Sequence, residues 1–166
     1  MPLKTVTLSA MFIVLIFMSI TLLSVPNGFG GVIHFGDSLI YIAATILPFP
    51  FNIFVAALGP GLFNLVYVPH WLPFTIVIKP IMAMCFTKAG SKILGTRRNK
   101  IAPFLAGAIN TILYFLGNII LFDLSIAWAA LPGLVIQAVG SLIFFFIFAY
   151  SLDKANIKKW MMFRTS

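Results

Sequence analysis

Long apolar runs, almost free of charge, recur along the chain and constrain it more than any other feature. A hydrocarbon layer about 30 Å thick, divided by the 1.5 Å rise of an α-helix, asks for about 20 apolar residues per crossing. Four segments qualify: 6–23, 72–87 with a continuation open to 94, 101–122 and 129–152. A fifth apolar block, 37–68, is too long for one straight span. It is interrupted at Pro48-Phe49-Pro50, where the missing N–H and the ring clash end a helix. That block therefore reads as two short helices, 38–47 and 51–67. The expected fold is an all-α integral membrane protein with six transmembrane helices.

Composition agrees: 61% of the 166 residues are hydrophobic and 8% charged, against roughly 45–50% apolar usage in soluble domains. Six helices fill residues 1–166 as a single transmembrane domain, with nothing left for a nucleotide-binding or catalytic module. The run 6–23 ends in no clean small-x-small cleavage site, so it reads as a retained helix and not a signal peptide. Cys85 is the single cysteine; it offers neither a disulfide nor a thiolate metal site.

Charge sets the orientation. Lys88, Lys92, Arg97, Arg98 and Lys100 fall between the second and third of the four long runs, and Lys154, Lys158, Lys159 and Arg164 follow the last. The positive-inside rule places both groups in the cytoplasm, and Lys4 places the N-terminus there too. An inside start and an inside 88–100 segment require an even number of crossings between them. Two helices across 37–68 satisfy this, and so does a re-entrant hairpin; a single span does not. Of the eleven Lys and Arg residues only Lys79 departs from the inner side. The formal net charge of +8 thus follows from topology, and nucleic-acid binding is not expected.

Catalysis by acid and base needs titratable groups within reach of each other. The chain holds three acidic residues, all aspartate, and two histidines. It has no phosphate-binding loop, no H-E-x-x-H and no Gly-x-Ser-x-Gly. No enzyme activity, cofactor or catalytic residue is expected. His34, His70 and Asp37 on separate outer loops read more simply as interfacial hydrogen-bonding groups than as a metal site.

Lys79, enclosed by Ile78 and Pro80 about two turns below the outer surface, is costly in lipid unless paired or hydrated. Either it snorkels to the headgroups, or it faces a pocket with Asp37, Asp123 or a ligand as partner. Asn110, Tyr114 and Asn118 recur at a spacing of four and share one helix face; Gln137 with Ser141 makes a similar pair. Such groups either bond between helices or line a ligand site. Aromatic residues Phe35, Tyr67, Trp71, Phe74 and Trp128 gather at the outer side, as an interfacial belt or as stacking partners for a flat heteroaromatic ligand. Ala56, Ala57, Gly59 and Gly61 allow close approach of another helix, within the chain or on another subunit.

Four motifs then carry a resemblance. Gly31-Val32-Ile33-His34-Phe35-Gly36-Asp37-Ser38, Gly59-Pro60-Gly61-Leu62-Phe63-Asn64-Leu65, the stretch from Trp71 to Lys79, and Leu131-Pro132-Gly133-Leu134-Val135-Ile136-Gln137-Ala138-Val139 resemble, in that order, the substrate-binding S components of energy-coupling factor (ECF) vitamin transporters. The chain looks most like the hydroxymethylpyrimidine or pyridoxine group, close to the riboflavin-type branch. The resemblance implies a multi-pass protein of a bacterial cytoplasmic membrane with a vitamin site near the outer surface. It further implies a coupling surface on helices one to three, and as partners a transmembrane coupling subunit and two cytoplasmic ATPases.

The sequence departs from relatives at Asn64 and Asn118, where carboxylates are expected, at Leu134, and at Val14, which breaks a small-xxx-small spacing begun at Ala10. The site expected is Phe35, Asp37, Trp71, Lys79, Asn110, Tyr114, Asn118, Trp128 and Gln137, with Ala56, Ala57, Gly59 and Gly61 for coupling. The rival reading is a self-sufficient proton-coupled carrier or channel. A carrier would want a central carboxylate, and Asp37 and Asp123 read as lying at helix ends.

Overall fold

The computed structural model describes residues 3–26, 28–29 and 32–158; Gly31, Lys159 and Arg164 lie outside them. Its six α-helices are α1 (Leu3–Leu22), α2 (Gly36–Ile46), α3 (Phe51–Tyr67), α4 (Leu72–Met84), α5 (Arg97–Leu121) and α6 (Leu124–Lys154). Three of them, α1, α5 and α6, are long and apolar enough to cross a membrane. The other three are shorter, 11, 17 and 13 residues. Within α1 the hydroxyls of Thr7, Ser9 and Thr21 donate to the carbonyls of Leu3, Thr5 and Phe17. Polar side chains are thereby satisfied inside their own apolar helix.

Between α1 and α2 the chain forms a two-stranded antiparallel ribbon, β1 (Val25–Pro26) and β2 (Val32–Ile33), in which Val25 opposes Ile33. β2 packs on α6 near its middle, where Gly140 lies close to the Ile33 side chain. The loop thus folds inward, and α2 begins at depth. Eleven residues rise only about 16 Å, which suits a helix that starts inside the bundle. All of α2 except Leu39 is buried, as expected of a helix apolar on every side. It ends at Leu47, held extended by the proline that follows.

Around this central helix, α1 packs on α3, α3 on α4, and α5 on α6. A Cβ on Gly59 would come 2.8 Å from Ile16 of α1, and one on Gly117 would come 2.8 Å from the Trp71 ring. Both glycines are therefore places where elements approach more closely than a side chain permits. The core gathers Ile16, Ile20, Tyr41, Val55, Met82, Phe86 and Phe145, with Tyr41 stacked on Phe86 at 4.8 Å.

Several helix ends differ from the hydropathy reading. α5 begins at Arg97 because the Thr96 hydroxyl accepts from Asn99 N, and α6 begins at Leu124 because Asp123 Oδ1 accepts from Ile126 N at 2.8 Å. Both are side-chain caps, and a cap lies upstream of the apolar run that hydropathy detects. α4 stops at Met84, short of Thr87. There Arg98 donates from Nε to the Cys85 carbonyl at 2.8 Å and from Nη2 to that of Met84 at 2.6 Å, placing a cation on the negative end of the helix.

Candidate functional site

The inward loop brings a polar network to the middle of the bundle. Lys79 Nζ donates to Asp37 Oδ1 at 2.6 Å and to Asn110 Oδ1 at 2.9 Å. Both partners of this ion pair are buried, Asp37 at 1% and Lys79 at 5% relative exposure. Gln137 Nε2 closes the other side, donating to Ser141 Oγ at 3.1 Å, to the His34 carbonyl at 3.1 Å and to Asp37 Oδ2 at 3.5 Å. Its Oε1 accepts from His34 N at 3.0 Å, and Ser38 Oγ donates to the Ser141 carbonyl at 2.8 Å. Four helices and the loop thus converge on one carboxylate and one ammonium.

A second branch joins through Tyr114, whose ring lies 5.0 Å below the Lys79 ammonium. The Tyr114 hydroxyl shares a 2.7 Å hydrogen bond with Thr75 Oγ1, which also accepts from Asn64 Nδ2. Trp71 sits beside Tyr114, ring centroids 5.2 Å apart, with Phe74 edge-on at 5.7 Å. The result is an aromatic wall over a buried set of donors and acceptors. Such a setting holds a flat polar ring by stacking, while the few polar groups fix its orientation.

Of the residues expected at a site, Asp37, Lys79, Asn110, Tyr114 and Gln137 come together, with Trp71 alongside. Asn118 is buried, but its amide donates to the Tyr114 carbonyl of its own helix at 2.9 Å. Phe35 faces α6, packing edge-on against Phe144 at 4.2 Å and Phe148 at 6.4 Å. Trp128 is 60% exposed and meets Phe115; it lies on the outside of α6, apart from the network. His70 packs against Phe122 and Trp71, and no group of three His, Cys, Asp or Glu side chains gathers for a metal among the described residues.

Of the two readings open for Lys79, snorkelling or pairing with an aspartate, the structure shows the second, with the ammonium held by Asp37 and Asn110. One expectation needs correction. Asp37 begins a helix yet is central, since its neighbours Asn110 and Gln137 lie near the middles of α5 and α6. The inward fold of the preceding loop separates a helix end from the membrane surface. Thr75 and His34 were not expected at the network. Thr75 lies four residues before Lys79, on the same helical face, which is the signal that would have found it. His34 joins through its backbone and through Nδ1, which accepts from Gly36 N at 3.1 Å, and its signal was its place three residues before Asp37.

The small residues of α3 have separate surroundings. Gly59 meets Ile16 of α1, Gly61 lies toward Ile76 and Leu72 of α4, Ala56 is fully buried, and Ala57 is half-buried.

Residues 1–154 match the family model of the ECF-type riboflavin transporter, S component. No curated protein matches the chain.

Proposed function

Since the chain belongs to the ECF-type riboflavin transporter S-component family, an integral-membrane transporter component and not an enzyme family, we propose that it captures one small heteroaromatic vitamin on the outer side of a bacterial cytoplasmic membrane. It then hands the vitamin inward after docking on a transmembrane coupling subunit driven by two ATPases. The observation that carries this reading is the Asp37–Lys79–Asn110–Gln137 network under the Trp71–Tyr114 wall. Lys79 and Gln137 supply donors, Asp37 and Asn110 supply acceptors, and the two rings supply a stacking surface.

Riboflavin is the first substrate to test, because the matching family is named for it. Hydroxymethylpyrimidine and pyridoxine, to which the four motifs pointed, are the alternates. An ion pair that is neutral overall suits a neutral, hydrogen-bonding ring better than an anion. Six crossings, a cytoplasmic basic end and a single transmembrane domain complete the proposal. Ala56, Gly59 and Gly61 would serve coupling by letting α1 and α4 close on α3, and Ala57 by facing the partner. The self-sufficient carrier gains a central carboxylate in Asp37. That carboxylate is already bound by Lys79, which works against its use as a free proton carrier.

The test is mass spectrometry of the ligand retained by the purified chain, followed by titration with riboflavin, pyridoxine and hydroxymethylpyrimidine. Tight, ATP-independent binding of one of them supports the reading, and binding of none rejects it.

A further inference from the structure

A cleft of about 320 Å³ opens at the basic end of the bundle, lined by Ala44 and Leu47 of α2, Asn52 and Ile53 of α3, Phe49, Met84, Lys88 and Arg98 among others. It lies at the opposite end of α2 from Asp37, about 15 Å away along the helix, and has no part in the polar network. Its walls are of two kinds. Phe49 is 77% and Met84 59% exposed, and exposed Phe54, Leu58 and Ile81 continue apolar surface along α3 and α4 from its mouth. Lys88, Arg98 and Asn52 supply its polar part.

Two features give that polar part an unspent positive charge. Arg98 is held rigidly through Nε and Nη2 on the Cys85 and Met84 carbonyls, leaving its Nη1 donors. The Lys88 ammonium forms no hydrogen bond or ion pair among the described residues, whereas Asp153, the acidic residue at this end, has both oxygens occupied by Ile93 N and Leu94 N. No acidic residue lines the cleft.

We infer that this cleft binds the phosphate headgroup of an anionic phospholipid, with Lys88 and Arg98 on the phosphate and an acyl chain along the exposed face of α3 and α4. A membrane-boundary position, a preorganised guanidinium and an apolar exit into hydrocarbon are the chemistry that selects a lipid over a soluble anion. An acidic protein segment would use the same cations but would have no use for the apolar exit.

The experiment titrates the full-length protein, in neutral detergent, with phosphatidylglycerol or phosphatidylcholine and counts bound lipid by native mass spectrometry. Phosphatidylglycerol should bind in preference. Lys88→Gln should weaken it about five-fold, as one juxtamembrane charge is worth, and Lys88→Glu should weaken it further. Lys100→Gln with Lys154→Gln, exposed cations at the same end but outside the cleft, should leave it unchanged. Arg98 also caps α4, so the test rests on the exposed Lys88, with thermal unfolding to show that its variants fold. Equal binding of the two lipids, equal loss in the Lys100/Lys154 variant, or displacement by inorganic phosphate would each overturn the lipid assignment. So would phosphatidylglycerol binding untouched by both Lys88 variants, which leaves the cations to an acidic protein partner.

Discussion

At the scale of single residues, Asp37 and Lys79 form the one buried ion pair among the described residues. Removing one member of a buried pair leaves the other charge desolvated and unpaired, at about 3–5 kcal/mol. Lys79→Met and Asp37→Asn should each lower thermal stability by that order, whereas the double variant, with no orphaned charge, should recover most of it. Vitamin affinity should not recover, because the donors and acceptors proposed to orient the ligand would be gone. Unfolding and ligand titration on the three variants check this; single variants as stable as the native protein would refute the pairing. Asn110 and Gln137 bond across helices, so their truncation should weaken binding more than that of Asn118, whose amide serves its own helix. Lys79 was legible in the sequence because a charge inside an apolar run demands a partner. Which aspartate answers it was not, because depth is set by the inward loop, and nothing in the residues of that loop encodes how far it folds back.

At the scale of elements, close contacts and one clasp matter most. Gly59 lets α1 and α3 meet at Ile16, so Gly59→Ala forces one helix outward and should destabilise by about 1–3 kcal/mol through overpacking. Uptake driven by the partners should suffer more than vitamin affinity, since the seam lies away from Lys79; the reverse order would remove Gly59 from coupling.

The clasp joins the end of α6 to the segment before α5. Asp153 accepts from Ile93 N and Leu94 N, Asn99 bonds both Thr87 and the Ile93 carbonyl, and Lys158 Nζ reaches the Ala89 and Lys92 carbonyls at 3.4 Å. Burial lowers the Lys158 pKa from 10.5 to about 8, with Asp153 opposing the shift and Lys88 adding to it. The docked tail therefore holds its proton less tightly than a released one. Docking should tighten as pH rises from about 8 to about 10.5, and protonation below that window should loosen it. A spin label at Asn156 should lose mobility across this range in the native chain and show no such response in Lys158→Gln; equal responses would remove Lys158 as the cause. Helix existence was legible from the apolar runs and from Pro48-Phe49-Pro50, whereas the ends were not, since Thr96, Asp123 and Arg98 set them by hydrogen bonds that hydropathy ignores.

At the scale of the whole molecule, the shorter helices α2, α3 and α4 pack with α1, α5 and α6, and the polar network lies where the inward loop meets the middles of α5 and α6. Hydropathy counted the helices, but an eleven-residue helix starting at depth looks in sequence like one starting at the surface. With an even number of crossings, cysteines at Ser91 and Asn156 should be labelled only from the cytoplasmic side, and outside labelling at either would invert the arrangement. A chain that captures a vitamin and leaves the energy to its partners should accumulate nothing by itself. The deciding measurement is vitamin uptake into liposomes holding the chain alone, with and without a proton gradient, beside liposomes that also hold the coupling subunit and its ATPases. Accumulation is expected only in the complete assembly and only while ATP is hydrolysed. Concentrative uptake driven by the proton gradient in the chain alone would make it a self-sufficient carrier instead.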